Sequence, residues 1–75
     1  MEVRITKLTD RHIFLEFVND TGTFPFIYTT ETCRLSRCLC VHGSHYRGAK
    51  SELCYHTKLV VRYLIDTCGI KKVIP

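Results

Sequence analysis

A chain of 75 residues sits near the lower size at which a hydrophobic core holds a fold unaided, so one small domain over 1–75 is expected, with little room for a substrate pocket. Its 45% hydrophobic content is ordinary for a globular chain; the longest apolar runs, such as Leu59-Val60-Val61, are far too short to span a bilayer, and the charged, alternating start MEVRITKLTD is no secretory signal. The net charge of +4 is unevenly placed: residues 1–32 carry a net −2, residues 33–62 a net +5 and residues 63–75 a net +1.

Taken in chain order, residues 2–8 put Val3 and Ile5 on one face and Arg4 and Thr6 on the other, a period of two that predicts a half-buried strand. Thr9-Asp10-Arg11 forms a turn. His12 to Val18 aligns Ile13, Leu15 and Phe17, with Phe14 and Val18 opposite, so this strand is expected to be central and covered on both sides. Asn19-Asp20-Thr21-Gly22 is a strong turn signal, since these residue types tolerate positive φ. Phe24 to Thr30 is a third strand, confined to an edge or starting at Pro25, because proline has no N–H for the ladder. After a weaker turn at Thr30-Glu31-Thr32, Cys33 to Val41 predicts a fourth strand with Leu35, Leu39 and Val41 on its apolar face and Arg34, Ser36, Cys38 and Cys40 on its polar face.

His42 to Ser51, with Gly43 and Gly48, is a polar loop. The helix follows, over about Cys54 to Cys68: Thr57, Val60, Val61, Leu64, Ile65 and Cys68 recur at helical spacing and face the sheet, while Lys58, Arg62 and Asp66 lie outside. Gly69 is expected at the C′ position that ends it, and Ile70 to Pro75 is a short strand or a tail. The fold class is therefore α+β: an antiparallel β-meander of about four strands followed by one C-terminal α-helix.

Five cysteines argue against a fully paired disulfide framework and, in a chain with no export signal, for metal binding in a reduced cytoplasm. Cys38, Cys40, Cys54 and His56 form two tight pairs, C-L-C and C-Y-H, thirteen residues apart: four soft or borderline ligands, the set a closed tetrahedral zinc site needs. On an extended strand, residues i and i+2 point the same way, so Cys38 and Cys40 reach one ion if the chain bends there. On a helix, i and i+2 lie about 200° apart, so Cys54 and His56 share an ion only if Cys54 sits at or before the N-cap. A helix N-terminus also favours a thiolate. His42 and His45 lie in the loop and compete as ligands. The remaining Cys33 and Cys68 read as small buried hydrophobes, a Cys33–Cys68 disulfide being the sharper alternative. Three thiolates and one Zn²⁺ would bring the net charge to about +3.

With its C-x-C, variable loop and C-x-H, the stretch of about 33–68 resembles the SWIM-type zinc finger. That resemblance implies a first pair ending a strand, a second pair opening a helix, and a structural zinc in a DNA- or protein-binding module. No motif of a catalytic zinc is present, neither H-E-x-x-H nor H-x-E with P-C-x-x-C, and four protein ligands leave no open position, so no enzyme activity or small-molecule substrate is expected. Arg34, Arg37, Arg47, Lys50, Lys58 and Arg62 surround the metal motif in sequence, interleaved with Tyr46, Tyr55 and Tyr63 that could stack on bases; Glu52 is the one carboxylate among residues 33–62. The expected partner is nucleic acid, DNA ahead of RNA. The other reading is a protein partner, or a second copy in a homo-oligomer, pairing with the edge strand at Phe24-Pro25-Phe26.

Overall fold

A computed structural model describes residues 2–20, 22–40 and 54–75. Four strands, β1 (Glu2–Leu8), β2 (His12–Asn19), β3 (Gly22–Thr29) and β4 (Arg34–Leu35), make one antiparallel sheet in the order β1-β2-β3-β4, followed by the helix α1 (Tyr55–Asp66). This is the expected meander and C-terminal helix.

The period-two pattern decides which face is buried. Ile5 pairs with Leu15, Leu15 with Phe26, and Tyr28 with Leu35, so these side chains share the face that meets α1. Ile13, Leu15, Phe17, Phe26, Tyr28 and Leu35 are buried there against Val60 and Leu64 of the helix. β2 is central as expected, but it is covered on one face only: Phe14 and Val18 on the far side are half-buried. Lys7 lies over the Phe14 ring at 5.8 Å and Arg4 pairs with Glu16 at 2.7 Å, so long charged side chains partly screen that open face. A bulge between Ile5 and Lys7 keeps Leu8, opposite Ile13, on the helix side.

The β2–β3 hairpin closes where Asn19 pairs with Gly22, whose φ of +148° is open to glycine and strained for other residues. β3 begins at Gly22 rather than at Pro25 and lies between β2 and β4, so it is neither an edge strand nor opened by the proline; Pro25 is tolerated because β4 pairs only with Tyr28 and Thr29, which leaves the proline position outside that ladder. Ile27 exchanges hydrogen bonds with Ser36 on the outer side of β3, so Pro25, two residues earlier, also turns its missing donor outward.

The fourth strand departs from expectation. It pairs over Arg34–Leu35 only, after Cys33 turns the chain at φ +59°, and residues 36–40 leave the ladder. Strand parity is lost with the ladder, so Leu35, Cys38 and Cys40 all point inward while Leu39 is 68% exposed. Cys38 and Cys40 thus lie on the core side rather than on a polar face, and Leu39 is not on the apolar one. Val41 lies outside the described residues.

Helix α1 is shorter than the pattern suggested, with Cys54 as N-cap and Thr67 as C-cap. Thr57, Val60 and Leu64 are buried, Val61 and Cys68 half-buried, and Ile65 faces solvent, because the sheet covers a narrower stripe than the apolar residues span. The last turn widens: Thr67 and Cys68 both donate to the Tyr63 carbonyl, and Gly69 at φ +70° turns the chain so that the Ile70 N–H returns to the Leu64 carbonyl. Gly69 therefore stands two residues past the cap rather than one. The tail does form a strand contact, a single parallel bridge between Ile74 and Arg34, and the Tyr28 hydroxyl donates to the Lys72 carbonyl. Burial, with the nearby Cys33 thiol, pushes the Tyr28 hydroxyl up to about 12. Cys33 and Cys68 are free thiols packed against the core, not a disulfide.

Candidate metal centre

Cys38, Cys40, Cys54 and His56 converge. Their donor atoms all lie within 4.8 Å of one another, and the three cysteines are buried. Three segments deliver them: the irregular run after β4, the N-cap of α1 and its first turn. Loss of the ladder after Leu35 lets Cys38 and Cys40 turn inward together. Cys54 adopts an extended N-cap backbone, and His56 follows within the first turn, the arrangement that a C-x-H pair requires at a helix start.

The electrostatics of the three thiols differ. Burial pushes Cys38 up to about 12; the backbone N–H of Cys40 works the other way but does not prevail. Burial would also raise Cys54, but bonds from the Thr57 hydroxyl and backbone N–H, and from the Cys38 and Cys40 thiols, hold it below its ordinary value. Cys54 Sγ lies 3.2 Å from Thr57 Oγ1 and accepts from the Thr57 N–H at 3.4 Å, so the sulfur takes the place of the usual Ser or Asp oxygen at the N-cap. A thiolate there is stabilised by the unpaired N–H groups and dipole of the helix start.

His56 is held by rings from the hairpin. Phe24 stacks on it at 4.4 Å and 20°, and Phe17 meets it at 4.8 Å. Its Nδ1 faces the cluster, 3.7 Å from Cys38 Sγ. A sulfur and an imidazole nitrogen on one tetrahedral zinc stand about 3.6 Å apart, from bond lengths of about 2.3 and 2.05 Å. Donor type and spacing thus fit one tetrahedral ion: the cluster could hold a metal. Asn19, Phe17, Phe24 and Thr57 complete the surroundings. In the sequence the first three read as turn and core residues; for Thr57 the signal was its place three residues after Cys54, the N-cap-to-N3 spacing.

The chain matches no protein-family model, no curated protein and no solved structure.

The basic residues divide. Arg34 and Arg37 are exposed, as are Lys58 and Arg62 on the outer side of α1. Arg34 alternates with the buried Leu35 and so points to the sheet face away from the helix. Arg34 and the Lys58–Arg62 pair therefore belong to opposite sides of the molecule. Arg62 also faces Asp66 at 3.5 Å, both largely exposed. Tyr55 is exposed and meets Phe17 edge-on at 6.1 Å, while Tyr63 is half-buried. Arg47, Lys50, His42, His45, Tyr46 and Glu52 lie outside the described residues. Among those described, no helix is long and apolar enough to cross a membrane.

Proposed function

We propose that this chain is a small zinc-binding module in which the metal is structural and the function is to bind nucleic acid. The observation that carries the reading is the convergence of Cys38, Cys40, Cys54 and His56 on one point. Three thiolates and one imidazole are the donor set that selects zinc over harder cations, and four protein ligands leave no position for water or substrate, so the role is structural rather than catalytic. The C-x-C and C-x-H spacing, with the second pair at a helix start, supports a SWIM-type finger; here β4 ends three residues before Cys38, so the first pair follows its strand with a short gap. A reducing, cytoplasmic setting goes with the free thiols.

For the partner, the reading rests on Lys58 and Arg62, with Tyr55 exposed at the start of the same helix; they would present α1's outer face to a phosphate backbone, DNA ahead of RNA. Arg34 takes no part on that face. A second reading, a protein partner or a second copy, is favoured by the exposed apolar side chains Leu39, Tyr55 and Ile65. Fluorescence anisotropy with labelled single- and double-stranded DNA and RNA, on zinc-loaded protein at two salt concentrations, separates them. Binding that weakens steeply with salt supports nucleic acid. No binding to any of the four at about 50 mM salt discards it, because phosphate contacts are strongest at low salt.

A further inference from the structure

The hairpin tip that packs on His56 also reaches its second ring nitrogen. Asn19, the last residue of β2, places its amide nitrogen 3.4 Å from His56 Nε2, while Nδ1 lies 3.7 Å from Cys38 Sγ. The two ring nitrogens thus have separate neighbours: the cluster on one side, a neutral amide on the other. Phe24, the ring stacked on His56, lies on the opposite arm of the same hairpin.

We infer that Asn19 is a positioning residue for the metal centre, an amide that holds the His56 ring with Nδ1 toward the ion. The inference rests on the metal reading above. Without an ion, Nδ1–H can donate to the Cys38 sulfur and Nε2 accepts from the Asn19 amide N–H. A metal on Nδ1 displaces that proton and requires Nε2–H, which must then donate. Asn19 serves both states, because rotating its amide by half a turn exchanges NH₂ for the carbonyl oxygen at the same place. A carboxylate could serve only the second, and an apolar side chain neither. The stacked Phe24 ring sets the plane of the imidazole; Asn19 sets which edge of it meets the cluster.

Two measurements test this. The first needs no variant: long-range ¹H–¹⁵N correlation spectra of the zinc-loaded wild-type protein. The expected result is Nδ1 as the metallated nitrogen and Nε2 carrying a proton in slow exchange; metal on Nε2 overturns the inference. The second is zinc affinity by competition with a chromophoric chelator. Asn19→Leu should lower affinity about 10–100-fold, the usual effect of removing a partner of a ligating histidine. Asn19→Asp should keep or exceed wild-type affinity and move the Nε2 proton downfield. A role confined to closing the hairpin would leave that proton unmoved, so equal affinities in both variants together with an unshifted proton overturn it. Wild-type protein that takes up no zinc defeats the metal reading itself. Wild-type protein that binds zinc through Nε2 defeats only the assignment of Asn19.

Discussion

Removing the metal should cost this domain its fold. At about 0.05–0.15 kcal/mol per residue, a domain of 75 residues has a stability of roughly 4–11 kcal/mol. Structural zinc contributes an apparent 10–16 kcal/mol, about, in finger peptides near neutral pH. The larger number belongs to the ion, and on the zinc reading the buried cysteines are the reason for its weight. Among the described residues, three of the buried core side chains are the cysteines themselves, and they join the run after β4 to the start of α1. Without an ion, Cys38 must be buried as a neutral thiol and Cys54 as a thiol whose partners favour its charged form. The expected outcome is one zinc per chain by elemental analysis and, after a strong chelator, loss of the cooperative thermal transition by circular dichroism. Hydrogen exchange at limiting chelator should show the first turn of α1 losing protection before β2 and β3, whose Leu15, Phe17 and Phe26 pack on one another across the hairpin. A metal-free protein with an unchanged transition would refute the reasoning.

Further outcomes follow from the same geometry. Cys54→Ser and His56→Ala should lower zinc content and melting temperature far more than His42→Ala and His45→Ala; metal lost from a His42 or His45 variant but kept by His56→Ala would show a different ligand set. Thr57→Val removes a donor to the Cys54 sulfur and should weaken zinc binding by about 1.5–3 kcal/mol, the usual worth of a hydrogen bond to a charged group, read by chelator competition. Zinc must displace the proton that burial holds on Cys38, so apparent affinity should rise with pH between about 6 and about 8, by up to tenfold per unit for each proton released; a flat profile would mean the thiols are already ionised. If four phosphates are contacted on duplex DNA, the log–log salt slope should be about −3.6, and Lys58→Ala or Arg62→Ala should each reduce it by about one while Arg34→Ala, on the opposite face, leaves it unchanged.

Much of this architecture is carried by local pattern. The alternation of Ile13, Leu15 and Phe17, the turn residues from Asn19 to Gly22 and the helical recurrence of Thr57, Val60 and Leu64 are near-neighbour signals, and each specifies an element and its buried face without reference to the rest of the chain. The pairing of C-x-C with C-x-H is also local, since each pair fits one kind of chain end. The run from Ser36 to Cys40 departs from its alternating pattern because alternation holds only while a strand stays in a ladder. β4 has β3 beside it for two residues, and Cys38 and Cys40 then turn inward by packing rather than by parity. Ile65 fits the helical period yet faces solvent, because periodicity gives the direction of an apolar stripe but not the width of the surface that covers it.

The sequence by itself determined the order of the elements, the inward face of β2 and the two ligand pairs, because these depend on residues within a turn or two of one another. Only the tertiary structure decided that four donors spread over an 18-residue span meet within 4.8 Å, that Asn19 and Phe24 from the β2–β3 hairpin both reach His56, and that Arg34 is divided from Lys58 and Arg62. Those relations join segments distant along the chain. They are fixed by the packing of α1 across the sheet, which no stretch of sequence specifies alone.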